Sequence, residues 1–100
     1  MMSDAKSNWE LTTQARERYA VQLFDIIRVV EAIEERAREG YRDLRLSQIY
    51  PFDLSRTEPA RQLEGWLEVG HYRYVWYPTV PIPDPLNSSQ DDYPELVIFW

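Results

Sequence analysis

The chain has 100 residues, 44% of them apolar and 14% aromatic, enough for one folded domain and too many for a disordered tail. Its 17 acidic and 11 basic residues leave a formal net charge of −6, which argues against a broad nucleic-acid-binding face. With no cysteine and a single histidine, disulfides, thiolate metal sites and the usual zinc-ligand spacings are excluded.

Residues 1–6 read as a polar tail, and "MMSDAKSNW" lacks the basic-then-apolar pattern of a signal peptide. Ser7 and Glu10 stand at capping-box spacing, and no proline or glycine follows until Gly40. Tyr19, Leu23, Ile26, Val30, Ile33 and Ala37 step by four and three, which predicts one long helix over 7–39. Its start is placed at Ser7 or at Thr12–Thr13. Gly40 stands where a helix-ending glycine belongs.

The region 41–77 reads as strand, helix, strand. Leu44 and Leu46 alternate with Asp43, Arg45 and Ser47 in a short half-buried strand. Ser55 or Thr57 caps a second, shorter helix, and Pro59 suits its first turn best if Thr57 is the cap. Ala60, Leu63, Trp66 and Leu67 share one face of it, and Gly70 closes it. In the next strand Tyr72, Tyr74 and Trp76 point one way, and His71, Arg73, Val75 and Tyr77 point the other. One face lies on the helices, and the other, partly aromatic too, is covered or used. A proline-rich arm spans 78–94, and 95–100 is a last strand. The fold class is α+β: the long helix and the shorter one packed on a small three-stranded mixed sheet. The two strands joined by a helix are parallel neighbours or near neighbours in it.

A helix over 8–39 spans about 48 Å at 1.5 Å per residue. The other 60 residues form a globule roughly 27 Å across. Part of the apolar stripe is then left over, with Trp9 and Leu11 furthest out, and wants a partner.

Catalytic chemistry is not expected. His71 stands alone, and the glycines make no phosphate loop. Asp84, Asp91, Asp92 and Glu95 lack the spacing of a calcium loop and read as a solvated acidic loop. Arg36, Arg38, Arg42 and Arg45 are interleaved with Glu34, Glu35, Glu39 and Asp43, which favours a salt-bridged surface over a nucleic-acid site. No apolar run approaches the roughly 18 residues of a membrane span. No catalytic, cofactor or metal residue is therefore nominated. The nominated contact residues are Trp9, Tyr19, Leu23, Tyr72, Tyr74, Trp76, Pro81, Pro83 and Trp100. They are expected to serve a protein partner or self-association through the long helix and the proline arm.

The stretches "VEAIEERAREGYRDLRL" and "ARQLEGWLEVGHYRYVWYP", with the terminal "ELVIFW", resemble a pattern in small tailed-phage proteins. There a helix ends in glycine, a short strand follows, and a helix of the type L-x-x-x-L-x-x-x-G-Y leads into a strand. Leu63, Leu67 and Gly70 match, but His71 intervenes before Tyr72. The resemblance covers residues 30–100 and carries over no functional residue. It implies a phage-encoded protein without enzymatic activity, located in the virion or the host cytoplasm. Two such functions are considered, a structural or assembly protein and an acidic inhibitor of a host protein.

Overall fold

The computed structural model describes residues 4–79 and 93–100. Helix α1 (Ala5–Leu23) begins earlier than the capping box suggests. Asp4 is its N-cap, and its carboxylate accepts the Ser7 N–H at 2.7 Å. That bond holds the Asp4 pKa below its usual value. Residues 5 and 6 are therefore helix and not tail.

The long helix is two helices. Helix α2 (Ile26–Arg38) follows α1 across Phe24 and Asp25, with no proline or glycine at the break. The Phe24 N–H still reaches Ala20 C=O at 2.9 Å. Asp25 starts the new helix, its side chain accepting the Ile27 N–H at 3.3 Å. The cause is where the bulk must go. Ala20 and Phe24 are buried, as are Val29 and Ile33. Each pair is four apart, but Phe24 and Val29 are five apart, about 140° out of phase on one continuous helix. An elbow lets both pairs face one core.

This corrects the leftover-surface expectation. Tyr19, Leu23 and Ile26 pack against the chain's own core and Ile33 lies inside it. Trp9 and Leu11 stay well exposed, at 63% and 60%, as do Ile27 at 70% and Val21 at 57% on the outer side of the helices.

Helix α2 ends as expected, with Gly40 at φ +97° and the Tyr41 N–H donating to Arg36 C=O. Strand β1 (Asp43–Leu46) leads through a turn to α3 (Glu58–Val69). Thr57, not Ser55, caps α3, accepting the Ala60 N–H at 3.4 Å. Ser55 instead donates its hydroxyl to Asp53. At the end of α3, Gly70 is not the left-handed residue. His71 is, at φ 62°, and the Tyr72 N–H returns to Leu67 C=O. Gly70 serves by its size: a Cβ there would lie 2.8 Å from the Tyr72 ring.

Strands β2 (Arg73–Thr79) and β3 (Tyr93–Phe99) complete a three-stranded sheet in the order β1-β3-β2. The sheet is wholly antiparallel, not mixed. β1 and β2 run the same way, but β3 lies between them. β3 is the most apolar strand, with Glu95–Ile98 buried, and the central place is the one covered on both edges. β2 runs through Pro78 to Thr79 because Pro78 lies opposite Pro94. Neither has an N–H, so this is a pair that exchanges no ladder bonds and the prolines cost none. Leu54, Leu63, Leu67, Leu96 and Ile98 are fully buried between the helices and one sheet face.

Candidate protein-contact surface

The nominated contact residues divide three ways. Tyr19, Leu23, Tyr72, Tyr74, Trp76 and Trp100 are half-buried and packed against the core. Phe24 and Trp76 meet edge to face at 5.8 Å, Trp66 and Tyr72 stack at 5.4 Å, and Tyr72 meets Trp100 edge-on at 6.4 Å. The Tyr74 hydroxyl donates to Glu68 Oε1 at 2.8 Å. This bond, then burial and the nearby Glu64, raises its pKa well above the ordinary tyrosine range. In a domain of this size these aromatics go first to the interior. Trp9 alone is clearly exposed. Pro81 and Pro83, with most of the proline arm, lie outside the described residues.

The residues that stand out in space are others. A groove of about 340 Å³ opens at the elbow, lined by Tyr19, Leu23, Val29, Ala32, Leu46 and Ile49, with Gln22, Arg28 and Ser47 at its polar parts. Ile49 is 86% exposed at its rim, and Tyr50 beside it is 50% exposed. The loop that presents Ile49 is tied down on both sides. Its own N–H donates to the Tyr19 hydroxyl at 2.9 Å. The buried Gln48 donates its backbone N–H to the Glu95 carboxylate and its side-chain amide to Tyr50 and Phe52 C=O at 3.2 and 2.8 Å. Tyr50 meets Tyr19 edge-on and stacks on Phe52. A large apolar side chain is thus held in water by a fixed backbone. Spacing alone could not reveal this, because distant segments decide whether Ile49 is covered.

Glu95 anchors the same loop from the sheet. Its carboxylate meets Arg45 Nε at 2.7 Å and the Thr79 hydroxyl at 3.2 Å. Burial acts to raise its pKa, but the Gln48 N–H and Arg45 outweigh it, and the net shift is downward. It is therefore not part of a solvated acidic loop. Asp84, Asp91 and Asp92 lie outside the described residues.

The arginine cluster is engaged within the chain. Arg36 pairs with Asp43 at 3.0 Å and lies 3.7 Å over the Tyr41 ring. Arg38 pairs with Glu34 at 3.4 Å, and Arg42 Nε donates to Trp100 C=O at 3.0 Å. Among the described residues no group of acids and histidine is placed to hold a metal ion. No described helix is long and apolar enough to cross a membrane. In comparisons with protein-family models, curated proteins and solved structures, nothing matches this chain.

Proposed function

We propose that this chain is a non-enzymatic protein that works by contact with other proteins, as a structural or assembly component of a phage particle. The observation that carries the contact reading is Ile49, exposed on a pinned loop at the mouth of an apolar groove. Fixing an apolar side chain before binding lowers the entropy lost on docking, and such anchors in or beside pockets dominate interface energies. The core does not need Ile49, since its members are already enclosed. The phage assignment rests on the sequence resemblance.

The second reading, an acidic inhibitor of a host protein, is favoured by one further observation. The net charge is −6, and Arg36, Arg38 and Arg45 are neutralised by their own chain's acids. The test is a photoreactive phenylalanine analogue in place of Ile49, crosslinked in producing cells. A discrete crosslink to another particle protein is expected. A crosslink to a host protein selects the inhibitor. A folded variant that gives no discrete product sinks both.

A further inference from the structure

Both edges of the sheet leave backbone groups pointing outward. On β1 one of them is engaged: Arg36 Nε donates to Asp43 C=O at 3.0 Å while its Nη2 holds the Asp43 carboxylate. On β2 the outer edge is open among the described residues. The backbone direction follows from the register. Pro78 faces Pro94 in a pair that cannot exchange N–H bonds, so the alternation along β2 turns Tyr74 and Trp76 outward and Arg73, Val75 and Tyr77 toward β3. The Trp100 N–H donating to Arg42 C=O fits the same alternation on the other side of β3. Neither the Tyr74 nor the Trp76 backbone has a partner on that edge among the described residues. Tyr72, the next outward residue, already spends its N–H on Leu67. Of the usual guards the edge has Arg73 at one end and Pro78 at the other, with no lysine and no bulge in the continuous register between them.

We propose that β2 pairs with β2 of a second copy, antiparallel about a twofold axis at Val75, joining two sheets into one of six strands. The inference rests on reading the chain as a contact-making protein and names one of its partners. The five residues 73–77, Arg-Tyr-Val-Trp-Tyr, are complementary to themselves when reversed. In this register Tyr74 lies opposite the second copy's Trp76, and their outward N–H and C=O groups satisfy each other in both directions. Arg73 lies opposite Tyr77, placing a cation beside an exposed ring, twice over by symmetry. Val75, 40% exposed, lies opposite itself on the open sheet face. No like charges stand directly opposite one another, and the Arg45 that lies 5.8 Å over the Tyr77 ring is paired with its own chain's Glu95. Moving the axis by one residue either way, a two-residue shift of register, separates Arg73 from Tyr77 and sets it against Val75 or Thr79. A foreign strand would also fill the edge, but nothing in it would be matched by this cation–aromatic symmetry.

The chain has no cysteine, which makes a single introduced one specific. In the proposed pairing the two Val75 Cα atoms are about 4.5 Å apart, within disulfide range. Light scattering on the full chain should give twice 12.0 kDa at high micromolar concentration. Val75→Cys should oxidise to a covalent dimer at least ten times faster than Ile49→Cys. Val75→Lys and Val75→Glu should each be monomeric with unchanged circular dichroism, and an equimolar mixture should recover the dimer. A wild-type chain that stays monomeric into the millimolar range overturns the proposal. So does a dimer that both charged variants leave intact, or a Val75→Cys chain that crosslinks no faster than the control. The Ile49 crosslink is independent of these results, so this edge and the groove fail separately.

Discussion

Glu95 shows how one buried carboxylate can join three parts of a chain. It binds β1 through Arg45, the end of β2 through Thr79, and the Ile49 loop through Gln48. Its folded pKa is lowered, so its stabilising effect is present above the unfolded value of 4.5 and is lost as pH falls through the folded one. Resistance to urea should therefore fall from about pH 5 downward. Glu95→Gln should cost about 1–3 kcal/mol at neutral pH and flatten that acid limb. Tyr74 has the opposite sign. Its folded pKa is raised, so its contribution is complete below the unfolded value of 10.0 and is lost as pH climbs above it. Tyr74→Phe should reduce the loss of stability between pH 10 and 11, read by urea titration. His71 holds a left-handed conformation at φ 62°, which strains any side chain with a Cβ. His71→Gly should raise stability by about 0.5–1 kcal/mol, the relief being partly offset by glycine's greater freedom when unfolded. Glycine at this position would also restore a glycine–tyrosine step, one residue later than the position of Gly70.

The elbow between α1 and α2 is the feature that local signals miss. The stretch from Tyr19 to Ala37 offers two overlapping apolar patterns. One is a regular heptad, which favours a straight rod. The other, Ala20, Phe24, Val29 and Ile33, needs a break. The second prevails because Phe24 fills space against Trp76, which lies 52 residues away and contributes nothing to a local pattern. Phe24→Ala should therefore cost about 3–5 kcal/mol, far more than an exposed helix residue would. Asp25→Ala should cost about 1 kcal/mol through the lost cap, without moving the core. Thermal and urea unfolding of the two variants measure the difference. The other ends were legible where one residue's chemistry decides them, as with Gly40 after α2 and Thr57 with Pro59 at α3.

The core and the proposed contact surface should respond to mutation in opposite ways. Leu63→Ala, at a fully buried site, should lower stability by about 3–5 kcal/mol. Ile49→Asp should change it by no more than about 0.5 kcal/mol and yet abolish partner contact, read by unfolding and by co-purification from producing cells. The residue types of the chain alone settled the α+β class, the presence of each strand and the ends marked by Gly40 and Thr57; they left open which face of β2 is inward, and the caps Asp4 and Asp25 were missed. The settled features depend on side chains within a few positions of one another, and period and turn chemistry express them directly. The elbow, the central place of β3, the burial of Glu95 and the exposure of Ile49 were settled only in three dimensions. Each depends on which distant segments compete for the same core volume or the same hydrogen-bonding edge, and that competition leaves no periodic mark in the order of residues.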